Sequence, residues 1–145
     1  MKVDANISAD MTRTGKQAAH LESLGYDGLR IAELNHDPFL PLAIAAEHTN
    51  KVELLTSVAV AFARNPMSMA TLAHDLNAFS QGRMILGLGS QVKPHIERRF
   101  SMPWYKAARQ MREFIEAMNA IFDSWYDGER LEYIGEYYEV QSQSD

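Results

Sequence analysis

Segments that read as short strands begin near Lys2, Gly28, Val52 and Arg83, with helically spaced stretches between them. This alternation constrains the chain most, because repeated βα units demand a parallel sheet with right-handed crossovers. Parallel strands are covered on both faces and need no polar alternation. Met84, Ile85, Leu86 and Leu88 form such an apolar run.

In chain order, Lys2 to Ile7 is a first strand with Asn6 near its end. Thr12 to Leu24 is a helix with Ala18, Leu21 and Leu24 inward, stopped by Gly25. Gly28 to Leu34 is the second strand. The segment NHDPFLP holds a turn in which Asp37, preceding Pro38, is biased away from helix, while Pro41 is tolerated in the first turn of a helix reaching about Thr49. Val52 to Ala61, rich in β-branched residues, is the third strand. Asn65 and Pro66 open the next helix as N-cap and first position, with Met69, Leu72, Ala73, Leu76 and Phe79 on one face. Gly82 closes it and the fourth strand follows.

Beyond a polar loop, the longest helix starts at Pro103 and reaches about Trp125, with a core stripe of Ala107, Met111, Phe114, Met118, Ile121 and Trp125. Leu131 to Val140 reads as a short hairpin or lid, and QSQSD as a polar tail. No internal boundary is legible. Residues 1–145 are therefore expected as a single domain, with four βα units over 1–125 and the hairpin and tail over 126–145.

Gly87 and Gly89 interrupt the fourth strand near its end, and Ser90, Gln91, Lys93 and His95 follow at once. Glycine in a strand marks a bend or the close approach of a ligand or backbone. Ligands of α/β folds bind at the carboxyl ends of strands, so this polar cluster is placed for binding; a tight turn with solvated side chains fits the same residues.

The net charge of -5 argues against a nucleic-acid or anionic-membrane partner. With no cysteine there is no thiolate nucleophile, thiolate metal site or disulfide. His20, His36, His48, His74 and His95 show no helix-spaced ligand motif, so no metal is expected. The start MKVDANISAD lacks the apolar core of a signal peptide, which leads to the expectation of a cytoplasmic protein.

A complete (β/α)8 barrel takes about 250 residues and eight units. Four units leave two architectures, half a barrel or a small open doubly wound sheet. Open nucleotide-binding sheets put a glycine-rich turn after the first strand, where this chain has ANISAD.

The segments LGYDGLRIAELNHDPFLPLAIAAEHT, VELLTSVAVAFARNPMSMATLAHDL and GRMILGLGSQVKPHIERRFSMPW, in that order, resemble the first half of the luciferase-like monooxygenase superfamily. Within it they most resemble the oxidoreductases that use the deazaflavin coenzyme F-420. The resemblance covers roughly Val3 to Val140. It implies an α/β fold, the N-terminal half of a TIM (β/α)8 barrel, with a coenzyme ring across the strand ends; the four βα units, with glycines and polar residues gathered after the strands, themselves point to a parallel sheet in order 1-2-3-4.

The same resemblance implies the site. Glu33 matches the acidic position of the family's second-strand motif, and His36 takes the proton-handling role, oriented by a nearby carboxylate. Asn6, Ser57, Val58, Ala59, Gly89, Ser90 and Gln91 fall at coenzyme-binding positions, with a non-prolyl cis peptide implied at Ser57 and Val58. By their own charge Arg64 and Lys93 can meet anionic parts of coenzyme or substrate, and a solvated arginine and a soluble exposed loop fit the same residues. Val92 or its neighbours occupy the region where some sugar-phosphate-oxidising relatives carry a glutamate acid, a departure that counts against a sugar-phosphate substrate.

The implied chemistry is hydride transfer between a small organic substrate and the deazaflavin. Two alternatives stand beside it: an FMN-dependent luciferase-like monooxygenase, and a non-catalytic truncated subunit. Half a barrel leaves two sheet edges and an apolar interior open, which invites a homo-oligomer or docking to a complementary barrel half.

Overall fold

The computed structural model describes residues 1–142, and the chain divides into two compact units. The first comprises Met1–Ala59 and Leu72–Leu88; the second comprises Val60–Thr71 and the chain from Gly89 onward. Of the expected polar tail, Gln143 to Asp145 lie outside the described residues.

The first unit is built on a four-stranded sheet. Its strands are β1 (Asp4–Asn6), β2 (Gly28–Ile31), β3 (Glu53–Thr56) and β5 (Met84–Ile85), all parallel and in the order β1-β2-β3-β5. These are the four expected strands in the expected order. Helix α1 (Met11–Ser23) starts on Asp10, whose carboxylate accepts from the Thr12 N–H. Helix α2 is Phe39–Glu47, with Pro41 in its first turn as anticipated. Helix α3 (Pro66–Phe79) begins in the second unit and ends in the first. At its start Asn65 Oδ1 accepts from the Ser68 N–H, so the expected cap is present.

Because side chains alternate along a strand, the register assigns the sheet two faces. Leu29, Ile31, Leu54 and Thr56 point one way and are buried. Asp4, Asn6, Arg30 and Ile85 point the other way and are exposed, with Glu53 and Leu55 half-buried among them. Lys2 pairs with Glu53. The open interior expected to be apolar is therefore mixed. The reason lies in the first two strands, whose alternate positions are Asp4, Asn6, Gly28 and Arg30.

Three expectations need correction. The third and fourth strands are shorter than their apolar runs: β3 stops at Thr56 and resumes as β4 (Ala59–Val60), and β5 stops at Ile85 and resumes as β6 (Leu88–Gly89). The helix-face assignments were too wide, since Leu24 is 61% exposed as the C-cap of α1, and Leu72 and Phe79 are exposed on α3. The loop after Gly89 contains a helix, α4 (Lys93–Arg98), because Pro94 presets its first turn and Ile96 is drawn fully into the core.

In the second unit, a 3-10 turn at Ala61–Ala63 buries Phe62, whose ring meets Trp104 edge-on at 5.5 Å. Helix α5 (Ala107–Asp127) ends at Gly128, and β7 (Glu132–Ile134) pairs antiparallel with β8 (Glu139–Gln141), the expected hairpin. The α5 stripe holds for Phe114, Met118 and Ile121, while Trp125 is exposed. Two polar residues are buried instead. Glu113 accepts from the Tyr137 N–H at 2.8 Å, and Gln110 donates to the Tyr138 hydroxyl at 3.1 Å, so both serve the hairpin.

Candidate functional site at the strand ends

Past its last ladder bond, the chain leaving β3 stays tied to the chain leaving β2. Ser57 N–H donates to Ile31 O at 2.7 Å, and Glu33 N–H donates to Val58 O at 3.1 Å. Between these bonds the Ser57–Val58 peptide is cis, at the position the resemblance implied. Both side chains are exposed, Val58 to 43%.

On the other side of the same break, Ala59 N–H donates to Gly87 O at 2.8 Å. The Thr56 hydroxyl accepts from Gly87 N–H at 2.9 Å and donates to Gly87 O at 2.8 Å, so one side chain satisfies both backbone groups of a residue outside the ladder. A Cβ at Gly87 would collide with the Thr56 carbonyl oxygen. Gly87 is therefore required for the approach of backbone to backbone.

At the ends of β1 and β2 a cleft of about 350 Å³ opens. Asn6, Arg30 and His36 supply its polar groups, and Ile7, Ile31 and Leu34 much of its apolar wall. Asn6 and Arg30 are register partners, which fixes them side by side on the exposed face. The structure thus brings together the predicted Asn6 and His36, and ties the predicted Glu33 to Val58 through the backbone. Sequence reasoning missed Arg30, although it is the single charged residue inside the strand GLRI.

The carboxylate adjacent to His36 in sequence does other work. Asp37 Oδ1 accepts from the N–H groups of Phe39 and Leu40, at 2.8 and 3.3 Å, and so opens α2. Glu33 is half-buried.

The remaining predicted residues belong to the second unit. Arg64 Nη1 donates to Val60 O at 3.4 Å. Gly89 ends β6; Ser90 Oγ donates to Gln91 O at 3.1 Å; Gln91, with φ 63, accepts on Oε1 from Val92 N–H at 3.1 Å. Lys93 Nζ lies 3.7 Å from Glu97 Oε1 on the exposed side of α4.

Behind the strands, Glu22 anchors the turn into β3. Its Oε1 accepts from the N–H groups of Asn50, Lys51 and Val52 at 2.9, 2.7 and 3.1 Å. Burial pushes this carboxyl up, but the three N–H groups together with the Arg83 charge outweigh it and hold the group below the usual carboxylate range. Among the described residues no group of three or more His, Cys, Asp or Glu could hold a metal ion. No helix among them is long and apolar enough to cross a membrane.

A family model described as luciferase-like monooxygenase matches residues 2–144. An uncharacterised protein of Mycobacterium tuberculosis is 54% identical over 138 residues, covering 95% of this chain and 41% of that protein. An F-420-dependent glucose-6-phosphate dehydrogenase of Intrasporangium calvum is 31% identical over 130 residues, covering 81% of this chain and 39% of the relative. The oxygenating constituent of 3,6-diketocamphane monooxygenase of Pseudomonas putida, solved with FMN, superposes with a TM-score of 0.84 at 20% identity, covering 99% of this chain and 45% of the other. The chain thus spans less than half the length of each of these three proteins.

Proposed function

Because the chain belongs to the luciferase-like monooxygenase family and has the α/β fold of the N-terminal half of its barrel, we propose that its strand ends serve hydride exchange between a small organic substrate and the deazaflavin coenzyme F-420. The observation that carries this reading is the cleft at the ends of β1 and β2, where Asn6 and His36 meet an apolar wall. Ligands of parallel α/β folds bind at this end of the sheet.

The donor set suits a flat, mostly apolar ring with polar edges. Ile7, Ile31 and Leu34 offer apolar contact, Asn6 offers both a donor and an acceptor, and the exposed Val58 presents an aliphatic surface at the neighbouring strand end. When bound, the coenzyme supplies the carbon that accepts or gives up a hydride. His36 moves the accompanying proton, since imidazole is the side chain best suited to proton transfer near neutral pH. Glu33 is the supporting carboxylate, Asp37 being committed to the start of α2. The exposed Ser57 completes the coenzyme-facing strand end, while Ala59, also expected there, is fully buried with its N–H committed to Gly87 O. Arg64, Gly89, Ser90, Gln91 and Lys93 keep the coenzyme and anion roles expected from the sequence.

Preference for F-420 over FMN rests on the relative that is named for it, at 31% identity; the FMN complex, at 20%, bears on the fold. Titrating each coenzyme separately against the purified protein tests the choice. Saturable binding of F-420 with much weaker binding of FMN is expected. Preferential FMN binding with oxygen consumption would move the chain to the monooxygenase branch.

A second reading is favoured by the uncovered sheet face holding Asp4, Asn6, Arg30 and Ile85. In it the chain is a non-catalytic half that docks to a complementary barrel half. Binding of neither coenzyme by a folded chain would leave that reading standing.

A further inference from the structure

Two arginines stand on or beside the strands of the first unit, and the fold treats them in opposite ways. Arg83, just before β5, donates from Nε to Ser80 O, from Nη1 to Thr49 Oγ1 and Val52 O, and from Nη2 to Ala46 O and Thr49 O. Its guanidinium serves the fold. Arg30, inside β2, makes no side-chain hydrogen bond or ion pair among the described residues. The acids on its side of the sheet are engaged elsewhere: Glu53 pairs with Lys2, and the Asp4 carboxylate lies over Gly28, in the space a Cβ there would need.

Strand geometry decides where this free cation stands. Leu29 and Ile31 are buried, so the two-residue alternation of β2 turns Arg30 to the open face, beside its register partner Asn6. There it lines the strand-end cleft of about 350 Å³, with Ile7, Ile31 and Leu34 in the apolar wall. Among the described residues no Asp or Glu lines that cleft, although the chain has 19 acidic residues against 14 lysines and arginines. A fixed cation in a mostly apolar, acid-free cleft suits a ligand with an apolar body and an anionic end.

We propose that Arg30 binds a carboxylate of the substrate, which makes the substrate class a small organic acid with an apolar body. A guanidinium presents parallel N–H groups in a fork that matches the two oxygens of a carboxylate. Asn6, its neighbour across the register, brings an amide donor to the same place. A phosphate ester is the poorer fit, because it carries close to two charges and Arg30 is the single Lys or Arg lining the cleft among the described residues. The inference rests on the strand-end reading above and adds the substrate class to it.

The probe is benzoate, compared with benzamide, which has nearly its shape without its charge. Each is titrated at constant ionic strength against the whole chain, with the amide NMR shifts of Asn6 and Ile31 as the readout. Benzoate should saturate in the millimolar range and bind about tenfold more tightly than benzamide, as hydrogen bonds to a charged group imply. Arg30→Met should lower benzoate to the level of benzamide with far-UV circular dichroism unchanged. Arg30→Lys, which keeps the charge and loses the fork, should fall between. Arg30→Met should also leave the affinity for F-420 within a few-fold of wild type. Equal affinity for benzoate and benzamide, or a preference that survives Arg30→Met, would overturn the proposal. So would tighter binding of inorganic phosphate than of benzoate at the same amides, or an F-420 affinity that falls in Arg30→Met as far as benzoate does, which would give the subsite to the coenzyme. Failure of the coenzyme reading shows separately, as a wild type that keeps the benzoate preference and binds no F-420.

Discussion

The strand ends of the first unit and the stretch from Ser90 to Lys93 carry candidate residues of similar chemistry, yet hold them in opposite ways. At the strand ends the backbone is fixed by bonds between residues far apart in sequence. Thr56 serves Gly87, Glu33 N–H reaches Val58, and Ser57 N–H reaches Ile31. In the loop the bonds run between near neighbours, Ser90 to Gln91, Gln91 to Val92 and Lys93 to Glu97. The first arrangement ties site geometry to the stability of the sheet; the second lets the loop change without it.

Substitutions can break that contrast. The largest effect is expected at Gly87→Val, where a Cβ must displace the Thr56 carbonyl: a loss of about 3 kcal/mol or more in urea denaturation, or failure to fold. Thr56→Val, which removes the acceptor of Gly87 N–H while Gly87 O keeps its bond from Ala59 N–H, should cost about 1–3 kcal/mol by the same measurement, with Thr56→Ser largely restoring it.

Glu22 sharpens the picture through pH. Its carboxyl sits lower in the folded protein than the ordinary value of 4.5, so the stability it adds is fully present above that value and is lost as pH falls through the folded one. Wild type and Glu22→Gln should therefore differ by about 1 kcal/mol at neutral pH and converge on acidification below 4.5. A gap that persists unchanged into strong acid would refute the anchoring role. The smallest effect belongs to the loop, where Ser90→Ala should leave stability within about 0.5 kcal/mol.

The same contrast explains what the sequence could show. Local signals were legible: Asn65 as a cap, Pro41 in a first turn, Gly25 and Gly82 as helix ends, and the order of the sheet from the repetition of βα units. Gly87 marked the break in the fourth strand as a place of close approach, whereas the break at Ser57–Val58 came through resemblance alone; that Thr56 is what meets Gly87 was not legible, because the contact is set by two chains meeting. Burial of Glu113 and Gln110 escaped for a related reason. Their partners are hairpin groups more than twenty residues away, at Tyr137 and Tyr138. Helix α4 was hidden in a polar sequence whose one apolar member, Ile96, is fully buried. At the site, Glu33 and His36 were named through resemblance, while Arg30 shows itself only when the register sets it beside Asn6.

The central claim is that the first unit's strand ends hold the coenzyme, and equilibrium binding of F-420 to three proteins tests it most directly. Wild type should bind saturably, and His36→Ala should bind within a few-fold of it, since the imidazole is assigned to proton transfer rather than to affinity. Val58→Glu, which sets a charge on the exposed aliphatic surface at the break, should weaken binding by about 100-fold, equivalent to ~2.7 kcal/mol. Wild-type affinity in Val58→Glu, or no binding of F-420 by a folded wild type, would contradict the account.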